Sequence, residues 1–203
     1  MGDSERDRIF GSIRQALDPL KERTPYPEWD SAEVVARHAR ESGDLLTGFR
    51  EQLIAAKGLF FENWAEAAAF LKAENADCGY LDPALESEVG EALAGLDLSH
   101  SIERKAIDRY AFGITSACGA IAETGSIVIR DGDSPYRLAA LAPWIHIAVV
   151  RRESLVGTLA EATSLFGTDP SVIFATGPSK TADIEGILIE GVHGPGIQAC
   201  LML

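Results

Sequence analysis

Four ionisable side chains of three chemical kinds, Lys180, Asp183, Glu185 and His193, fall within "FATGPSKTADIEGILIEGVHGPG", Phe174 to Gly196. Two Gly-Pro pairs, Gly177-Pro178 and Gly194-Pro195, bracket them. Glycine lets a backbone approach a ligand closely, and proline holds a loop's shape at low entropic cost. Lys180 is the only Lys or Arg from Glu153 to Leu203, a stretch that holds six acids. A lone cation in a stiffened loop beside Ser179, Thr181 and Asp183 suits a small carboxylate or phosphate. The alternative is a surface lysine paired with Asp183, worth less than about 1 kcal/mol. His193 sits among small residues that leave its ring accessible, and an imidazole is the usual general acid or base. A turn histidine bonded to a neighbouring carbonyl is the commoner use of such a residue. "GPSKT" is not a phosphate-binding P-loop, because G-x-x-x-x-G-K-[ST] requires glycines where Phe174 and Ser179 stand.

Glu123, in "AIAETGSIVI", is the second chemical candidate. An acid set between apolar strand residues and a Thr-Gly turn is partly desolvated, which prepares it for nucleophilic or acid–base work. Thr124 and Ser126 supply hydroxyls and Gly125 a backbone amide that can hold an anion beside it. A turn residue facing solvent is the competing reading. No metal set is expected: His38, His100, His146 and His193 lack ligand spacing, and Cys78, Cys118 and Cys200 include no Cys-x-x-Cys pair.

The elements that must position these residues are legible from periodicity. Ile9, Phe10, Ile13 and Leu17 predict an amphipathic helix over 4–17, followed by the extended "DPLKERTPYPEWDS". Helices are predicted over 31–42 and 44–57, with Gly58 as a stop. Residues 1–42 read as a helical extension with a Pro-rich linker, and 43–203 as the main domain. From Gly58 onward short apolar runs alternate with helical stretches: "GLFFEN" then "WAEAAAFLKAEN", and "CGYLD" then "PALESEVGEALAGL". Such alternation indicates βα units and a mostly parallel sheet covered by helices on both faces. "YAFGITSACGAIAETGSIVIRDG" reads as two strands around a Glu-Thr-Gly turn. "IHIAVVRR" and "SVIFATG" read as central strands, with helical "SLVGTLAEATSLF" between them and "IQACLML" as the final strand. Ser134 and Pro135 look like a helix start carrying Arg137, and Trp144 reads as core. Because ligands of open α/β sheets bind beyond the carboxyl ends of strands, the stretch after "SVIFA" is the expected ligand wall, facing Glu123.

A formal net charge of −13 argues against nucleic acid and against an anionic membrane surface as partners. The excess sits mainly in residues 1–102, with 20 acids against 10 bases. The three scattered cysteines suit a reducing compartment, and no apolar stretch has signal-peptide or membrane-spanning length, so a cytoplasmic protein without membrane insertion is expected. A detached N-terminal helix invites exchange between copies, which makes a homo-oligomer one of the expectations.

"GITSACGAIAETGSIVI", "PWIHIAVV" and "FATGPSKTADIEGILIEGVHGPG" together resemble the LUD-domain family, in its lactate-utilization C-type branch, over about residues 45–203. The resemblance implies a three-layer α/β/α domain like those of ribose-5-phosphate isomerases and CoA transferases. It also implies a component of a system that oxidises L-lactate to pyruvate. Iron–sulfur clusters would then sit on partner proteins, with no cofactor bound by this chain. The family positions matched here are Glu123, Thr124, Gly125, Gly177, Pro178, Ser179, Lys180, Thr181, Asp183, Glu185, His193, Gly194 and Pro195. A stand-alone CoA-transferase-like or sugar-phosphate-isomerase-like enzyme using Glu123, and a non-catalytic assembly protein, are the alternative functions. Whether this chain is itself an enzyme stays open at this point.

Overall fold

The computed structural model describes residues 5–18, 44–130, 137–169, 171–182 and 188–203. Two compact units divide between Val35 and Ala36. The expected helix over 31–42 and the expected boundary at 42/43 lie outside the described residues. In the first unit, helix α1 (Glu5–Leu17) has acids in its first turn and Arg14 in its last, matching the helix dipole. Ile9, Phe10, Ile13 and Leu17 are exposed on it.

The second unit is built on a six-stranded, all-parallel sheet. Its strands are β1 (Leu59–Phe61), β2 (Cys78–Leu81), β3 (Asp97–Ser99), β4 (Phe112–Ser116), β7 (Ile145–Val150) and β12 (Ile197–Met202), in the order β1-β12-β7-β4-β2-β3. The central strands are continuous β-branched and apolar runs because both faces are covered, and every residue of β7 is buried. The chain reverses its direction of strand addition between β2 and β4. There the buried Asp82 ties the two carboxyl ends together: Oδ1 accepts the Ala84 N–H at 3.0 Å and Oδ2 the Ser116 N–H at 3.2 Å.

One face of the sheet is covered by helix α3 (Trp64–Ala73) and by the turns around Leu85 and Val89, packed on Phe112, Ile114, Ile147 and Leu201. Asn63 caps α3 by accepting the Glu66 N–H. The other face meets helix α2 (Leu45–Ala55), through Phe49 and Leu53, and a four-stranded sheet of order β8-β5-β6-β9. That sheet comprises β5 (Gly119–Ile121), β6 (Ser126–Arg130), β8 (Leu155–Val156) and β9 (Val172–Ala175). The mostly parallel α/β architecture with flanking helices is as the sequence predicts, and the small sheet is an added layer.

Four elements depart from expectation. "PALESEVGEALAGL" is not one helix: a 3-10 turn and α4 (Glu86–Val89) end at Gly90, whose φ of +55° leaves the helical region. The "YAFGITS…" segment forms three strands, because Ala117 still bonds Val149 of the large sheet whereas Cys118 bonds Val128 of the small one. "SLVGTLAEATSLF" begins as β8, parallel to β5, before the four-residue helix α6 (Leu159–Ala162) with its Thr158/Glu161 capping box. Finally, "SVIFATG" supplies β9, an edge strand antiparallel to β6 and only partly covered, with Phe174 exposed. A short apolar run does not distinguish a central strand from a partly covered edge.

Candidate functional site

The two segments singled out by chemistry meet on one helix. Glu123, Thr124 and Gly125 form the turn between β5 and β6, and Ser126 opens β6. Gly177, Pro178 and Ser179 lead from β9 into the hairpin β10 (Lys180–Ala182) and β11 (Leu188–Glu190). Gly125 (φ +65°) and Gly177 (φ +68°) both touch the carboxyl-terminal half of α2. A Cβ on Gly125 would lie 2.3 Å from the Leu53 nitrogen, and one on Gly177 would lie 2.0 Å from the Ala56 oxygen. Only glycine satisfies both the left-handed backbone and the close approach. A hydroxyl chain joins the two segments: Thr124 Oγ1 and Ser126 Oγ are 2.7 Å apart, and Ser126 Oγ and Thr176 Oγ1 are 2.6 Å apart.

The ionisable groups point to different partners. Lys180 Nζ donates to the Ala56 carbonyl at 3.2 Å, satisfying an end carbonyl of α2 while its side chain stays exposed. Its neighbour across the hairpin, Glu190, accepts from Lys57 Nζ at 2.6 Å. Glu123 is half-buried, and its Oε1 accepts the Leu159 N–H at 2.6 Å, at the start of α6. His193 is exposed on the turn between β11 and β12. In that turn Ser179 N–H donates to the Pro195 carbonyl, and a Cβ on Gly194 would stand 3.0 Å from Ser179 Cβ. Thr181 is paired with Ile189 in the hairpin, and Pro178 is buried. Asp183 and Glu185, like Ser134 and Pro135, lie outside the described residues.

The hairpin is not placed at the carboxyl end of a parallel strand. Gly191 and Gly196 pack against the indole of Trp144, and the Ile197 N–H donates to the Trp144 carbonyl at 3.0 Å. Trp144 directly precedes β7, so this turn lies at the amino ends of β7 and β12. Trp144 itself is 53% exposed rather than core, because glycines are what cover one side of its ring.

At the carboxyl ends of the same strands lies a cavity of about 280 Å³ whose residues the sequence reading did not select. Arg50 and Thr47 of α2, Glu62 just after β1, Met202 at the end of β12 and Arg152 just after β7 line it, over Phe60. Its signals in the sequence are the arginine pair closing "IHIAVVRR" and the acid in "GLFFEN". Arg50 Nη1 donates to Glu62 Oε1 at 2.9 Å, and its guanidinium lies 5.0 Å from the centre of the Phe60 ring. Arg151, next to Arg152, pairs with Glu88 and holds that carboxyl below the usual carboxylate range by hydrogen bonding.

In the sheet interior, His146 Nδ1 lies 2.8 Å from Gln198 Oε1 and its Nε2 lies 2.9 Å from Thr115 Oγ1. Gln198 Oε1 can only accept, so Nδ1 carries the proton and Nε2 accepts from the hydroxyl. Complete burial pushes this imidazole down to about 4, so it is neutral. Burial also raises the Cys200 thiol. Cys78, Cys118 and Cys200 are free thiols, and among the described residues no three His, Cys, Asp or Glu side chains gather as a metal set. No described helix is long and apolar enough to cross a membrane.

A parallel sheet backed by helices on one face and by a helix with a small sheet on the other, with two glycine-containing loops packed on that helix, defines an α/β domain. The chain belongs to the LUD domain family, whose profile matches residues 54–202. It is similar to lactate utilization protein C of Halalkalibacterium halodurans, 37% identical over 99 residues, 45% of this chain and 43% of that one. The protein of the same name from Bacillus subtilis is 37% identical over 91 residues, 41% of this chain and 38% of that one. That from Shouchella clausii is 34% identical over 114 residues, 53% of this chain and 48% of that one. The chain spans less than half the length of each of these relatives. A DUF162 family protein from Deinococcus radiodurans shares the fold, with a TM-score of 0.58 at 20% identity over 79% of this chain and 96% of that one.

Proposed function

We propose that this chain is a component of an L-lactate utilization system that oxidises lactate to pyruvate together with iron–sulfur partner proteins. In this reading it binds the small carboxylate through the loop that carries Lys180. Relatives 34% and 37% identical that bear the name lactate utilization protein C support the system. The observation that carries the binding role is the Lys180 ammonium: one N–H is anchored on the Ala56 carbonyl, and among the described residues no side chain takes its two other donors, which a carboxylate could meet. Oxidation of lactate removes two electrons and two protons. In this reading His193, exposed on the adjoining turn, takes the hydroxyl proton, while the Cα hydrogen, as a proton and two electrons, would pass to the oxidising iron–sulfur partner. Glu123 acts through the helix start it holds, orienting the turn that carries Thr124 and Ser126.

A thermal-shift panel tests this reading with L-lactate, D-lactate, pyruvate, CoA esters and sugar phosphates, on the wild type and on Lys180→Ala. A ligand at about 100 times its dissociation constant adds roughly 2.7 kcal/mol, a rise of about 5–10 °C in the midpoint for a chain of this size. A Lys180-dependent shift with lactate or pyruvate is expected. A shift confined to CoA esters or sugar phosphates would replace the reading with a transferase or isomerase. In oxidation reconstituted with the partners, unchanged rates in both Lys180→Ala and His193→Ala would remove these residues from the function.

A further inference from the structure

We propose that the cavity between α2 and the carboxyl ends of β1, β12 and β7 is a separate anion site, taking a small carboxylate or inorganic phosphate between Arg50 and Arg152. The proposal rests on the cavity's own geometry and does not depend on the lactate reading.

Three observations carry it. The first is position: Glu62, Met202 and Arg152 follow or end three adjacent parallel strands, and such ends converge on ligands in open α/β sheets. The Lys180 hairpin occupies the opposite, amino-terminal end of two of these strands.

The second is charge. In a chain of net charge −13, two guanidinium groups and a single carboxylate line this cavity among the described residues. The concave wall gathers the field of these exposed side chains, with Asp44 acting on Arg152 from the neighbouring space. Arg50 is already held in place by Glu62 and by the Phe60 ring, so its remaining donors are oriented before a ligand arrives. Arg152 also lines a neighbouring cavity of about 300 Å³ with Asp44, Leu45 and Leu155, so its fork stands between the two spaces. A guanidinium meets two oxygens of a carboxylate or phosphate in a planar, fixed fork, a geometry that a lysine ammonium does not offer.

The third is size and lining. A volume of about 280 Å³ sits at the small end of ligand pockets. Phe60 and Met202 contribute an apolar side, so an anion of a few heavy atoms with a short apolar portion fits both the charge and the wall.

The test is titration calorimetry on the full chain at low ionic strength with four probes: inorganic phosphate, acetate, L-lactate and pyruvate. Wild type is compared with Arg152→Gln, Arg50→Gln, Arg152→Lys and Lys180→Ala. Arg152 is exposed, so its replacement leaves the core intact. At least one probe is expected to bind the wild type and to bind Arg152→Gln about tenfold or more weakly, the loss of a hydrogen bond to a charged group. Arg152→Lys should recover only part of the affinity, and any carboxylate binding that Lys180→Ala removes is assigned to the Lys180 loop and not to this cavity. Binding of phosphate alone or of carboxylates alone names the ligand class, and either supports the site. No binding by any probe, or equal affinity in wild type and Arg152→Gln, overturns the proposal. Binding that survives Arg152→Gln but is lost in Lys180→Ala also overturns it, while leaving the Lys180 reading intact.

Discussion

Gly177 and Ala56 meet backbone to backbone: a methyl group on Gly177 would stand 2.0 Å from the Ala56 carbonyl oxygen. The same carbonyl accepts from Lys180 Nζ, so a single peptide group of the α2 cap fixes both the bend and the cation that follows it. Gly177→Ala should therefore cost stability twice, through its φ of +68° and through displacement of the cap. We expect a loss of about 2–4 kcal/mol, measured as a shift in the denaturant midpoint at unchanged slope. A variant as stable as wild type would show that the contact yields without cost.

Glu123 holds the first N–H of α6. Glu123→Ala leaves that donor without its carboxylate and should cost about 1–2 kcal/mol by chemical denaturation. Glu123→Gln keeps an acceptor in place and should recover most of the loss. If Glu123 instead served as a nucleophile, incubation with an acyl-CoA would yield a glutamyl adduct by mass spectrometry. That adduct, absent in Glu123→Gln, would replace the positioning role with a covalent one.

His146 makes stability depend on acidity. Its folded-state value, lowered to about 4 by burial, lies below the unfolded value of 6.5, so the unfolded chain takes up the proton first. The contribution is thus fully present above about pH 6.5 and is lost as pH falls toward 4. Between pH 7 and pH 5 this group alone should remove about 2 kcal/mol. Unfolding curves at the two pH values check it. His146→Gln, which cannot ionise, should flatten the difference, and an equal slope in both proteins would exclude His146 as its source.

Asp82 joins the carboxyl ends of β2 and β4 through two backbone N–H groups and is 2% exposed. Asp82→Ala leaves the Ala84 and Ser116 amides without that acceptor and should destabilise by about 2–4 kcal/mol. Hydrogen exchange at the Ser116 amide should quicken locally as well. Exchange unchanged at Ser116 would mean that another group takes over the bond.

Much of the architecture was readable because periodicity and capping are local properties. Asp44 and Asn63 start helices where the apolar spacing begins, and the β-branched run 145–150 can only be satisfied by cover on both faces. The glycines at 125 and 177 marked places where a backbone comes close, but nothing near them in sequence names helix α2 as what they approach. Likewise, "VIFA" carries the same apolar signal whether it lies in the centre of one sheet or at the edge of another; pairing with β6 decided that. Residues 123–126 and 177–180 were identified as chemistry by type alone. That Glu123 turns to Leu159 and Lys180 to Ala56 depends on contacts across 36 and 124 positions. Arg50, Glu62 and Arg152 each look like an ordinary surface charge in the sequence. They become one cavity only because parallel strands distant in the chain are laid side by side with their carboxyl ends together. Local chemistry determined the elements and the kinds of residue available. Long-range strand order, which no short window of sequence encodes, decided which of them meet.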